Sequence, residues 1–90
     1  MANHDDRAQL IQLAEVLKRR DWPARIRQRG DRFTLTVTNP ADEELNESVV
    51  CSASDNGLAY SVPGGQELGP TADVEKVADR LQNMLRSVRA

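Results

Sequence analysis

Either side of Gly30–Asp31 the chain alternates strictly, and the two runs agree about which face is core. Ala24, Ile26 and Gln28 point one way while Arg25, Arg27 and Arg29 point the other; Phe33, Leu35 and Val37 then alternate with Arg32, Thr34, Thr36 and Thr38. A two-residue loop with glycine first suits a type II′ hairpin, whose twist matches that of the strands it joins. Such a hairpin pairs Gln28 with Phe33, Ile26 with Leu35 and Ala24 with Val37. It leaves Arg29–Arg32, Arg27–Thr34 and Arg25–Thr36 together on the opposite face. Because side chains repeat every second residue, a slip of one would expose the whole apolar set, so the register is strongly specified.

A second hairpin is expected around Asn56–Gly57, a dipeptide suited to a tight type I′ turn. This reading pairs Ala53 with Tyr60 and Cys51 with Val62 on the inner face, with Ser54–Ala59 and Ser52–Ser61 outside. Val49 joins the inner set, and Val50 sits among small polar side chains on the outer one. Between the hairpins, Asn39 is read as the cap of a single helical turn, with Pro40 at its first position and Asp42, Glu43 and Glu44 following. Pro63–Gly64–Gly65 ends the fourth strand, and Gly69–Pro70 precedes the last helix.

Helical periodicity flanks these strands. Over residues 5–20, Leu10, Leu13, Ala14 and Leu17 recur at i, i+3, i+4 and i+7, with Ile11 and Val16 widening the stripe. Asp5 or Asp6 suits the cap, and Lys18, Arg19 and Arg20 suit the carboxyl end of the helix dipole. Pro23 disfavours helical geometry at Trp22, so the helix is expected to stop near Asp21. The second helix follows Thr71 as N-cap and carries Val74, Val77, Ala78, Leu81, Met84, Leu85 and Val88 as its apolar stripe.

The resulting expectation is an α+β fold: a four-stranded antiparallel sheet of two hairpins, with N- and C-terminal helices packed on one face. At 90 residues the chain has room for one domain, with residues 1–4 read as a tail. No apolar stretch approaches the roughly 20 residues of a membrane span. Met1 to Asp6 is acidic and lacks an apolar run, so no secretory signal is expected. A single cysteine, Cys51, excludes an intramolecular disulfide and suits a reducing compartment, hence a cytoplasmic setting.

The formal net charge of −2 conceals a segmented chain. Residues 18–32 hold seven cations (Lys18, Arg19, Arg20, Arg25, Arg27, Arg29, Arg32) against Asp21 and Asp31, a net of +5. Residues 33–79 set Lys76 against nine carboxylates, a net of −8. Such a chain either presents two recognition surfaces or neutralises itself on folding, with Asp42, Glu43, Glu44 and Glu47 as the acidic partners of the arginines.

Catalytic material is scarce. His4 is the sole histidine, which leaves almost nothing for a His/Cys metal site or a Ser–His–Asp device. Cys51 falls on the core face, where a small buried thiol is ordinary. Neither a GxxxxGK[ST] loop nor a GxGxxG motif occurs. The carboxylates at 42–47 lack calcium-loop spacing and read as a solvated acidic loop. Gly64–Gly65–Gln66 resembles the catalytic tripeptide of peptide-chain release factors and related peptidyl-tRNA hydrolases, but Glu67, Leu68, Gly69 and Pro70 follow it with no basic residue nearby, and a turn leaving a strand needs glycine anyway. Arg29–Gly30–Asp31 resembles an integrin-recognition tripeptide, and Asn46–Glu47–Ser48 fits a glycosylation acceptor; a cytoplasmic chain gives neither a use. The sequence therefore reads as a non-enzyme with no catalytic, metal or cofactor residues.

What remains is surface. Arg25, Arg27, Arg29 and Arg32 share the outer face of the first hairpin with Thr34 and Thr36, and Val50 and Ser52 continue that face into the second. Small side chains admit another backbone, and an open sheet edge accepts a strand. The favoured expectation is a protein-interaction or regulatory module, binding a protein partner or itself as a homodimer. The alternative is a nucleic-acid-associated protein whose arginines neutralise phosphates. An acidic balance and the lack of an outer-face aromatic weigh against that alternative.

Trp22, the alternating hairpin, Thr38–Asn39–Pro40, Leu45–Asn46–Glu47–Ser48–Val49, Asp55–Asn56–Gly57, Leu68–Gly69–Pro70 and the final amphipathic helix together resemble a set of small uncharacterised actinobacterial proteins. The likeness spans roughly residues 10–88. It implies a cytosolic bacterial protein of helix–four-strand–helix pattern and carries no activity. Those relatives place several tryptophans in the strand after the Asp/Asn–Gly turn, where this chain reads Leu58–Ala59–Tyr60–Ser61–Val62.

Overall fold

The computed structural model describes residues 4–54, 57–63 and 66–86. Its elements run α1 (His4–Arg19), β1 (Ala24–Arg29), β2 (Arg32–Asn39), β3 (Asp42–Ser54), β4 (Gly57–Val62), β5 (Gln66–Pro70), a 3₁₀ turn (Thr71–Asp73) and α2 (Val74–Met84). The strands form one antiparallel meander in sequence order, β1-β2-β3-β4-β5. The α+β class is as expected, but the sheet has five strands rather than four. The added strand, β5, is short and holds Gly69 and Pro70, residues that read as a connector because neither favours a strand interior. Glycine suits position 69: its φ is +150°, which other residues rarely adopt, and a Cβ would lie a tight 3.1 Å from Val77 Cγ2 of α2.

The first hairpin has every pair that the alternation specifies, from Ala24↔Val37 to Arg29↔Arg32. Gly30 has φ +61° and Asp31 is not in the positive-φ region, as a type II′ turn requires. The second hairpin differs from expectation by two residues. Cys51 pairs with Tyr60, Ala53 with Leu58 and Ser54 with Gly57, so the loop is Asp55–Asn56, which lies outside the described residues. A two-residue shift preserves the faces: Cys51 and Tyr60 still point inward. Ala59, expected outside among serines, is buried because Pro70 of β5 lies opposite it.

No helical turn interrupts residues 39–47. β2 runs through Asn39, the chain reverses over Pro40–Ala41, and β3 begins at Asp42. The register jumps from Thr38↔Asn46 to Asn39↔Asp42, so Glu43–Leu45 is extra length on β3 alone. Asn39 works as a turn-former instead of a helix cap. Its Oδ1 accepts the Ala41 N–H at 2.7 Å, while its Nδ2 donates to the Leu85 carbonyl at 2.7 Å, at the end of α2.

Both helices pack on the inner face, α1 over β1–β3 and α2 against β5. The core draws Leu10, Leu13 and Leu17 from α1, Leu35, Val37, Val49 and Tyr60 from the sheet, and Val77, Ala78 and Leu81 from α2. Trp22, Phe33 and Val62 are half-buried against it. Helix α1 already includes His4, Asp5 and Asp6, so His4 is not in a tail and neither aspartate is the cap. Nor does Thr71 cap α2: it opens the 3₁₀ turn, and neither Pro70 nor Asp73 makes a side-chain capping bond. Val88, the last residue of the expected stripe, lies outside the described residues. No helix among the described residues is long and apolar enough to cross a membrane.

Helix α1 stops in a Schellman motif. The Trp22 N–H donates to the Leu17 carbonyl at 2.9 Å and the Asp21 N–H to the Lys18 carbonyl at 3.0 Å, with Asp21 at φ +64°. This position favours glycine, so Asp21→Gly is expected to stabilise the fold by about 0.5–1 kcal/mol in urea denaturation.

The sole tyrosine, Tyr60, is fully buried, and its hydroxyl donates to the Gln9 carbonyl at 2.6 Å. Burial, with the neighbouring Cys51 adding to it, raises the phenol well above its ordinary value of 10.0. A group raised on folding contributes stability in full below its unfolded pKa and loses it as pH rises beyond. Stability is therefore expected to fall above about pH 10. In an alkaline titration phenolate absorbance should rise together with loss of helical circular dichroism, not before it.

Candidate interaction surface

The outer face of the β1–β2 hairpin is built by period-two alternation, and among the described residues no helix packs over it. Arg25, Arg27, Arg29 and Arg32 are all exposed, and the cross-strand pairs Arg25↔Thr36, Arg27↔Thr34 and Arg29↔Arg32 set them beside half-buried threonines. Next to Thr36 comes Ser48 of β3, and next to Thr38 comes Asn46. An open trough of ≈ 860 Å³ runs here, floored by Thr36, Thr38, Asn46 and Ser48 and walled by Arg25 and Arg27. It continues into a second depression of ≈ 460 Å³ between Arg27, Arg29, Thr34 and Ser48.

Five of the expected surface residues are thus brought together: Arg25, Arg27, Arg29, Thr34 and Thr36. Arg32 is exposed at the hairpin tip, outside both depressions. Val50 and Ser52 lie on the same side of the sheet but in the β3–β4 ladder, where Val50 faces Ser61 and Ser52 faces Ala59. Ser52 and Ser61 place their hydroxyls 3.4 Å apart. Thr38 continues the alternation of Thr34 and Thr36, whereas Asn46 and Ser48, which complete the floor, are visible only once β2 and β3 are paired through this segment.

The basic and acidic segments neutralise each other only in part among the described residues. Among the described residues the ion pairs belong to Arg20, and none involves the four arginines of the hairpin. Glu43 borders the larger trough, while Glu47 pairs with Val37 and so faces the helix side. Arg20, counted with the basic segment, spans the helices instead. Its two terminal nitrogens donate to Glu75 at 2.7 Å, to Asp79 at 2.7 Å and to Gln82 Oε1 at 2.6 Å. The hydrogen bond to Asp79, reinforced by Glu75, raises the Arg20 pKa against a smaller opposing effect of burial.

Cys51 is buried beside Tyr60. Gly64 and Gly65 lie outside the described residues, and Gln66 opens β5. Among the described residues no three His, Cys, Asp or Glu side chains are grouped to hold a metal ion.

These placements separate structural from surface arginines. Arg20→Ala is expected to cost about 1 kcal/mol, diminishing at high salt, since it removes a forked pair at the surface. Arg27→Glu should shift stability by no more than about 0.5 kcal/mol. Thermal melts of the two variants at low and high salt distinguish these outcomes.

The chain matches no family model, no curated protein and no solved structure among those with which it was compared.

Proposed function

We propose that the protein is a non-enzymatic interaction module and that the outer face of the β1–β2 hairpin docks an acidic protein partner. The observation that supports this is the row Arg25, Arg27 and Arg29, exposed on one strand and without ion pairs among the described residues. Guanidinium groups are weakly hydrated planar forks that suit carboxylates, and fixing them along a strand lowers the entropy cost of using them together. The short side chains of Thr34, Thr36 and Ser48 let a partner come close to the sheet.

Self-association through this face would set one row of arginines against another, so a dissimilar, acidic partner fits better than a second copy. A nucleic-acid reading draws on the same unpaired arginines, since their spacing along an extended strand also suits phosphates. The outer face carries no aromatic ring to stack a base, and the chain as a whole is acidic.

The test is an NMR amide-shift titration with poly-glutamate and, separately, with mixed-sequence DNA and RNA, at low and physiological salt. Poly-glutamate should perturb amides in residues 24–38, and the triple variant Arg25→Glu, Arg27→Glu, Arg29→Glu should abolish the response. Steeply salt-dependent shifts with nucleic acid alone would replace the proposal with the second reading. No response to any polyanion would dismiss the surface altogether.

A further inference from the structure

β1 is an outermost strand of the sheet, and one backbone hydrogen bond at its start fixes which of its groups face outward. The Thr38 N–H donates to the Pro23 carbonyl at 3.1 Å, one step beyond the Ala24↔Val37 pair. In an antiparallel ladder, hydrogen-bonded pairs alternate with non-bonded ones. Arg25↔Thr36, Arg27↔Thr34 and Arg29↔Arg32 therefore bond across to β2. The N–H and C=O groups of Ala24, Ile26 and Gln28 point away from the sheet, toward an edge that no other described strand pairs with.

Beside that edge lies a groove of ≈ 450 Å³ between α1 and β1, with Ile11, Ala14, Ala24 and Ile26 along it and Glu15 and Lys18 at its rim. Ile11 is half-buried yet stands apart from the residues packed on the core. We propose that this edge and groove receive an extended peptide segment of alternating acidic and apolar residues as a sixth strand. The inference rests on the reading of the hairpin as an acidic-partner site, and it specifies the geometry.

The alternation follows from the pairing. Residues of the incoming strand opposite Ala24, Ile26 and Gln28 would bond to the outward backbone groups and turn their side chains toward Ile11 and Ala14, so these are apolar. Residues opposite Arg25, Arg27 and Arg29 would form non-bonded pairs, whose Cα atoms approach to about 4.5 Å and whose side chains are closest. Carboxylates there meet the arginines directly. An edge strand also attracts copies of itself. Antiparallel pairing of two β1 strands would oppose arginine to arginine, so the same residues that recruit an acidic strand repel a second copy of this one.

The experiment follows amide shifts and hydrogen exchange in the labelled protein as a synthetic peptide of alternating glutamate and valine is added. Binding should slow exchange at Ala24, Ile26 and Gln28 and leave Arg25 and Arg27, already bonded to β2, little changed. Gln28→Pro removes an outward donor that the ladder does not use, and should weaken the peptide at least roughly tenfold while poly-glutamate still perturbs the arginines. The same peptide N-methylated at its β1-facing residues should likewise fail to protect the edge, and it tests the geometry without altering the protein. If the methylated and unmethylated peptides bind alike, or no edge amide is protected, docking is ionic only: this inference falls and the acidic-partner reading stands. If neither peptide nor poly-glutamate binds, both fall. An oligonucleotide that outcompetes the peptide at Arg25–Arg29 would also overturn the inference.

Discussion

The thirteen residues of β3 change partners in mid-strand, and the rest of the fold answers to that exchange. Residues up to Val49 pair with β2, while those from Val50 onward pair with β4. The sheet is thus two three-stranded halves joined end to end along β3, each with an apolar face that needs cover. α1 lies over the β1–β3 ladder and α2 against β5, so neither half holds its own core without its helix.

Three polar contacts cross the line between the halves. Tyr60 of β4 reaches the Gln9 carbonyl in α1, Asn39 at the end of β2 reaches the Leu85 carbonyl after α2, and Arg20 after α1 grips Glu75, Asp79 and Gln82 on α2. Each has a direction that burial of apolar area lacks. Hydrophobic packing brings the helices to the sheet, and these bonds set where along it they stop. Among the described residues no buried side-chain nitrogen or oxygen is left without a partner. The polar groups enclosed by this arrangement are therefore compatible with the core around them.

The first hairpin and both helices were legible because alternation, turn chemistry and helical period agreed there. The segment around Asn39–Pro40 misled for a physical reason: Asn, Pro and a run of acids suit a helix start as well as a turn, and only the distant Leu85 carbonyl distinguishes the two. β5 was hidden by its glycine and proline, which serve a close approach to α2 and an edge position. The two-residue shift at Ser54–Gly57 left the inner face intact and so had no hydrophobic signature. Of the surface, the arginine row and its threonines could be read from the alternation. Their continuation through Asn46 and Ser48 depended on a strand pairing that the misread turn concealed. The groove beside Ile11 needs the position of α1 over β1, which no local pattern contains.

The meander also bears on how the chain reaches this state. Each strand pairs with the next in sequence, so every sheet ladder closes over a short loop at small entropic cost. The Arg20 contacts with α2 span 55 to 62 residues, the longest separations among the side-chain hydrogen bonds described, and loop closure makes such contacts costlier to form. A folding route that zips the hairpins first and docks the two helices to each other late follows from this distribution. The Arg20 fork would then act on the rate at which the native state opens more than on the rate at which it forms.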